Sequence, residues 1–159
     1  MSIIRVGISE FAVSKAPAKL ITIGLGSCVG IAVYEKNKKV GGLSHILLPD
    51  SNFFSKVDKP EKFADLALPL MIDAIISMSG SEKLEAKIAG GASMFYQGKD
   101  NLIDGIGQKN IKAVTDILNS FGIPIIGSDT GGNAGRTMTV DLTDFKVTIS
   151  TVNKEPLLL

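Results

Sequence analysis

The chain has 159 residues and a net charge of +1, and 45% of its residues are hydrophobic while 21% are charged. These values are typical of a single folded domain, predicted here over residues 1–159, and they exclude a disordered chain. The near-neutral charge argues against nucleic-acid binding, and no apolar run is long enough to insert into a membrane. A lone cysteine, Cys28, cannot form an internal disulfide, which fits a reducing compartment and predicts a cytoplasmic location.

Four apolar, β-rich runs in the first third of the chain predict strands. A glycine-rich turn ends the second run and leads to Cys28, where the third run begins. A polar segment with two adjacent phenylalanines, Phe53 and Phe54, predicts a long loop. The predicted strands are residues 3–9, 19–23, 28–34 and 40–48, with a connector at 11–18 and the loop at 50–60.

The rest of the chain predicts two helices and four more strands. The first helix contains Pro69, which is expected to kink or split it. The order of elements departs from regular βαβ alternation and favours an α+β fold: an irregular α/β sandwich with largely antiparallel or mixed sheets and two to three helices. The helices are predicted at 61–78 and 107–121, the strands at 84–89, 123–126, 136–142 and 145–152, a polar stretch at 97–104 and a glycine-rich loop at 129–135.

The only cysteine and the only histidine of the chain flank one predicted hairpin. Pairing across a tight loop centred between Lys36 and Asn37 puts Cys28 directly opposite His45, with Cβ atoms about 4.5–5.5 Å apart. A register shifted by one residue would move the two side chains to opposite faces, so the prediction depends on the length of the loop. Together a thiol and an imidazole are the minimum parts of a cysteine nucleophile and its base.

The turn before Cys28 adds candidate donors for an oxyanion. Gly24 and Gly26 allow the backbone N–H groups of Ser27 and Cys28 to converge near the sulfur. Three other interpretations of the thiol stay open: a small buried hydrophobe, a redox sensor, or a ligand in a metal site. One Cys and one His leave a zinc ion short of ligands even if Asp50 contributes, so no metal and no cofactor are predicted.

Five ordered blocks of sequence resemble the CheD family of chemoreceptor glutamine deamidases. They extend from about residue 21 to residue 136, and the resemblance is expected to cover the whole chain. The blocks are TIGLGSCV at 22–29, GLSHILLP at 42–49, KIAGGASM at 87–94, IGQKN at 106–110 and GGNAGR at 131–136.

The resemblance implies a fold, an activity and a set of site residues. The fold is an α/β sandwich similar to the cytotoxic necrotizing factor deamidases. The activity is hydrolysis of side-chain amides of particular glutamines on methyl-accepting chemotaxis receptors, giving glutamate and ammonia through a cysteine thioester. The catalytic triad maps onto Cys28 as nucleophile, His45 as general base and acid, and Thr22 as the residue that orients His45.

The resemblance also implies a partner, the phosphatase CheC, alongside the receptor helices that serve as substrate. Because those helices form long coiled coils, apolar residues are expected beside an open site, and Phe53, Phe54 and Phe95 are the candidates. Two competing functions are kept: a binding module that regulates the phosphatase, with an incidental thiol, and a general cysteine acyl hydrolase or peptidase.

Overall fold

Apolar, β-branched runs and two segments of helical periodicity determine the secondary structure. The computed structural model describes residues 2–93 and 101–159, with the backbone alone for 101–104. In this part of the chain the strands are β1 Ile3–Arg5, β2 Glu10–Lys15, β3 Lys19–Leu25, β4 Val29–Glu35, β5 Val40–Ile46, β6 Glu85–Gly90, β7 Ile125–Thr130, β8 Arg136–Asp141, β9 Lys146–Thr151 and β10 Leu157–Leu158. The α-helices are α1 Ala64–Ser79 and α2 Asn101–Ser120, and short 3₁₀ turns cover Ser51–Phe53 and Pro60–Lys62.

The strands form two five-stranded sheets. The outer sheet has the order β1-β3-β8-β9-β10, and the middle sheet has the order β2-β5-β4-β6-β7. Two neighbouring pairs, β1 with β3 and β6 with β7, are parallel, and the other pairs are antiparallel. The predicted α+β sandwich with mixed, largely antiparallel sheets is therefore confirmed.

The middle sheet is covered on both faces, since every residue of β4 and β5 is buried. Side chains alternate along a strand, so Ile31 and Val33 pack against the two helices while Ala32 and Tyr34 pack against the outer sheet. Two apolar layers result, one between the sheet and the helices and one between the sheets. The inter-sheet layer contains Cys28.

One edge of the middle sheet is a strand that the sequence did not predict. The connector expected at residues 11–18 is wrong, because β2 pairs antiparallel with β5 over six residues. All residues of β2 are partly or fully exposed, as is common at a sheet edge, so their hydrophobic alternation is weak. The two-residue strand β10 was also missed.

The first helix is continuous from Ala64 to Ser79 and passes through Pro69. The expected split at Pro69 is wrong, and the alternative, a kink, stays a prediction. Proline removes one backbone hydrogen bond, to the carbonyl of Asp65, and this loss falls close to the helix start. The helix ends at Gly80, which adopts the left-handed conformation (φ 72°) and donates its N–H to the Ile76 carbonyl.

The second helix begins at Asn101, so the predicted start at residue 107 is wrong. Gly105 and Gly107 interrupt the apolar periodicity of its first turns and hide them from the pattern. The polar stretch predicted at 97–104 therefore lies partly in α2 and partly outside the described residues.

The last third of the chain follows the predicted hairpin. Strands β8 and β9 pair with Arg136 opposite Thr151, which confirms the hairpin. Strand β7 extends to Thr130, so the glycine-rich loop starts later than predicted.

No described helix is long and apolar enough to cross a membrane.

The register of β4 and β5 differs from the predicted one by two residues. Gly30, not Cys28, lies opposite His45. The connecting loop has four residues because the buried Glu35 carboxylate accepts the backbone N–H groups of Asn37, at 3.2 Å, and Lys38, at 2.7 Å. A shift of two preserves the face, so Cys28 is a diagonal neighbour of His45 and not its direct partner.

Candidate active site

The only imidazole of the chain is held between the two sheets. His45 lies on β5 of the middle sheet, and Thr22 lies on β3 of the outer sheet. Both residues have 0% exposure, and the Thr22 Oγ1 atom is 2.6 Å from His45 Nδ1. The structure thus brings together the two residues that the sequence proposed as base and orienting group.

The same threonine determines which ring nitrogen carries the proton. Its hydroxyl donates to the Val6 carbonyl oxygen at 2.7 Å. A hydroxyl has one proton and a carbonyl can only accept, so Thr22 Oγ1 must accept its second hydrogen bond from His45 Nδ1–H. The neutral ring then has its lone pair on Nε2, which is buried and has no hydrogen-bond partner among the described residues.

The thiol lies in the same inter-sheet layer as the imidazole. Cys28 directly precedes β4 and is 6% exposed. Because Gly30 is opposite His45, Cys28 is one diagonal step away on the same face, with Cα atoms about 7–8 Å apart in a regular sheet. A thiol, an imidazole and a hydroxyl therefore lie on facing sides of one inter-sheet layer.

Burial keeps both reactive groups neutral at neutral pH. It raises the pKa of the Cys28 thiol, and the backbone N–H of the same residue offsets only part of that effect. Burial also lowers the pKa of His45 to about 4. The resting site therefore holds a neutral thiol beside a neutral imidazole, not a preformed ion pair.

We expect the stability of the protein to fall as the pH drops from about 6.5 to 4. The folded pKa of His45 lies below its unfolded value, so in this window the unfolded chain binds a proton that the folded chain excludes. The loss should approach about 2–3 kcal/mol, measured by urea unfolding at pH 7 and pH 4.5. His45→Asn, which retains a donor for Thr22, should show a smaller difference in the free energy of unfolding between the two pH values. An equal difference in both proteins would show that His45 is not the group responsible.

The end of β6 fixes the backbone around Cys28. The N–H of Gly91 donates to the Cys28 carbonyl at 2.8 Å, and the N–H of Ala92 donates to the Gly26 carbonyl at 2.8 Å. Gly90 adopts φ 111°, and a Cβ there would lie 2.3 Å from the Cys28 oxygen. Only glycine permits this close approach, which holds the Cys28 segment against the sheet.

The predicted oxyanion donors lie on the turn between β3 and β4. Gly24 has φ 84° and lies near the end of β3, where the register with β8 shifts between Ile23 and Leu25. The N–H of Ser27 donates to no acceptor in the described part of the chain. Their binding of an oxyanion stays a prediction.

Sequence reasoning missed a buried polar residue on α2. Asn110 has 0% exposure and donates through Nδ2 to the carbonyls of Ser27, at 2.9 Å, and Leu47, at 3.1 Å. The residue belongs to the IGQKN block of the sequence, but the pattern gave it no role. A polar residue on the buried side of an amphipathic helix was the available signal.

The aromatic residues proposed to contact substrate are not joined to this layer by any described contact. Phe53 is 83% exposed and lines a groove between its 3₁₀ turn and α2, whereas Phe54 is 46% exposed and lies 5.3 Å from the Phe63 ring. Phe95 lies outside the described residues.

A metal site receives no support from the side chains that the structure describes. No group of three or more His, Cys, Asp and Glu among them could hold a metal ion. Asp50, the third ligand considered, instead accepts the backbone N–H of Asn52 at 2.9 Å.

The fold and the site define a class of protein: an α+β sandwich that buries a thiol, an imidazole and a hydroxyl between its two sheets. The family model described as CheD chemotactic sensory transduction matches residues 47–151. A protein of Clostridium novyi (strain NT) named "Probable chemoreceptor glutamine deamidase CheD" is 52% identical over 150 residues, which cover 94% of this chain and 93% of that protein. The chain belongs to the CheD family.

Two further relatives carry the same name. The protein of Desulforamulus reducens is 51% identical over 94% of this chain and 90% of its own length, and that of Clostridium botulinum (strain Hall) is 50% identical over 94% and 93%. Among solved structures, the Bacillus licheniformis hypothetical protein YfiH is 15% identical, with a TM-score of 0.45 over 76% of this chain and 49% of that one.

Proposed function

We propose that the protein hydrolyses the side-chain amides of specific glutamines on chemotaxis receptors, giving glutamate and ammonia, in the cytoplasm. The names of its relatives support this substrate. The observation that carries the proposal for the site is the Thr22–His45 hydrogen bond of 2.6 Å, which leaves Nε2 free in the layer that contains Cys28.

Cys28 acts as the nucleophile in this proposal, and His45 moves the protons. The thiol proton passes to Nε2 as Sγ bonds to the amide carbon of the glutamine, so the carbonyl becomes an oxyanion. The imidazolium then gives the proton to the amide nitrogen and the C–N bond breaks. Ammonia departs, and the substrate carbonyl stays bonded to Cys28 as a thioester. Because both groups are neutral at rest, charge separates only as the sulfur attacks.

Water completes the reaction on the same residues. Nε2 takes a proton from water as the oxygen bonds to the thioester carbon. The C–S bond breaks, the sulfur recovers the proton from the imidazolium, and the product is a glutamic acid side chain, which loses its proton to solvent to become glutamate. In both halves Thr22 keeps the ring in the tautomer with a free Nε2, and the N–H groups of Ser27 and Cys28 are the proposed donors to the oxyanion.

A second function, binding of the phosphatase CheC, is proposed from the resemblance alone. It is compatible with deamidation, because a partner can bind a surface and leave the buried residues unchanged. The exposed Phe53 beside α2 offers an apolar contact for either partner, the receptor helix or the phosphatase.

Mass spectrometry of purified receptor cytoplasmic fragments incubated with the protein tests the proposed reaction. We expect particular glutamine-containing peptides to gain the mass difference between glutamine and glutamate, with one ammonia released for each modification and the fragment chain intact. Cleaved fragments would indicate a peptidase, and unmodified fragments would overturn the proposal.

A further inference from the structure

A single side chain of α2 bridges the two segments that carry the nucleophile and the base. The Nδ2 group of Asn110 donates to the carbonyl of Ser27 and to the carbonyl of Leu47. Ser27 directly precedes Cys28, and Leu47 lies two residues after His45. The two carbonyl groups are 20 residues apart in sequence, and this amide spans them from outside the sheet.

The orientation of the amide is fixed by what surrounds it. Both protons of Nδ2 are used, and both partners can only accept. Reversing the amide would place Oδ1 against two carbonyl oxygens. In the observed orientation Oδ1 is buried and has no partner in the described part of the chain, which is unfavourable for folding. An apolar side chain would avoid that cost, so the two donated bonds are the reason to have asparagine here.

The helix that carries the amide is held tightly against the Cys28 segment. A Cβ on Gly107 would lie 2.5 Å from the Gly91 oxygen and 2.6 Å from the Ala92 oxygen, so the helix packs at backbone contact distance. Gly91 in turn donates to the Cys28 carbonyl. Asn110 lies one turn after Gly107 on the same helix. The position of its side-chain amide is therefore set by this close packing.

We propose that Asn110 is a positioning residue for the reaction, one that sets the separation between the Cys28 thiol and His45 Nε2. This inference rests on the proposed deamidase function. The strands of the two reactive groups are paired as far as Val29 and Ile46, and Cys28 lies just beyond that last pair. Nε2 has no hydrogen bond to any described group. Asn110 connects the two backbones like a clamp where the strand pairing ends, through the carbonyls of Ser27 and Leu47.

Asn110→Asp tests the clamp with almost no change in shape. A carboxylate cannot donate and would repel both carbonyls, so we expect kcat for receptor-glutamine hydrolysis to fall about 10- to 100-fold with KM nearly unchanged. Asn119→Asp is the matched control, since it makes the same change on the exposed side of the same helix and should leave kcat at the wild-type value.

Asn110→Leu is the second variant, because it removes the donors and leaves no buried charge. It should fold and show the same loss of kcat. Wild-type kcat in a folded Asn110→Asp or Asn110→Leu variant would overturn the inference, as would a loss confined to KM or a failure of both variants to fold, which would make the residue purely structural. An inactive wild-type protein would instead overturn the proposed function.

Discussion

Replacing Cys28 by alanine is expected to reduce ammonia release from receptor fragments to the rate of the fragments alone. The proposed reaction has no other thiol to form the thioester, since the chain has one cysteine. Without the nucleophile no covalent intermediate forms, so His45 has no thiol proton to accept and the backbone donors have no oxyanion to stabilise. The measurement is ammonia release together with mass spectrometry of the receptor glutamines.

The fold should survive this change, which makes the result interpretable. Cys28 is a small side chain directly before β4, and its replacement by alanine should cost about 1 kcal/mol in the free energy of unfolding, measurable with urea. Glutamine hydrolysis retained by a folded Cys28→Ala variant would eliminate the thiol mechanism. The same variant separates the second function: if the protein also regulates CheC, binding to the phosphatase should persist without the sulfur.

Replacing Thr22 by valine is expected to lower kcat by about 10²-fold, a large part of what a general base contributes. Valine has the shape of threonine but no hydroxyl. His45 Nδ1–H would then lose its acceptor, the Val6 carbonyl would lose its donor, and the ring could place its proton on Nε2. A ring in that tautomer cannot accept the thiol proton.

Thr22→Ser is the control for this prediction because it restores the hydroxyl without the methyl group. We expect it to recover most of the lost kcat, whereas a purely structural role for the side chain would leave both variants similarly impaired. Equal activity of wild type and Thr22→Val would show that the Val6–Thr22–His45 hydrogen bonds do not orient the base.

That the thiol and the imidazole share one face of the sheet could be predicted from the sequence because strand alternation is periodic, although their direct pairing was wrong. The predicted loop was two residues too short, yet an even error keeps Cys28 and His45 on one face. The extra length came from Glu35, whose buried carboxylate holds two loop N–H groups. No periodicity in the sequence encodes that contact.

Other parts of the site depend on groups that leave no trace in a sequence pattern. The tautomer of His45 is fixed through Thr22, whose hydroxyl donates to the backbone carbonyl of Val6, and every residue has such a carbonyl. The clamp by Asn110 joins segments distant in sequence through backbone oxygens. The edge strand β2 and the early start of α2 were missed because exposure or glycine weakens their periodicity.

The absence of charge in the resting pair has a consequence for how the product leaves. Glutamine enters as a neutral amide, and a neutral thiol and imidazole accept it without the loss of a hydrated ion pair. Glutamate is an anion at neutral pH, and His45, with a pKa of about 4, offers it no positive charge. The same burial that keeps the thiol and the imidazole neutral therefore disfavours a bound carboxylate, and we expect the deamidated product to inhibit only weakly.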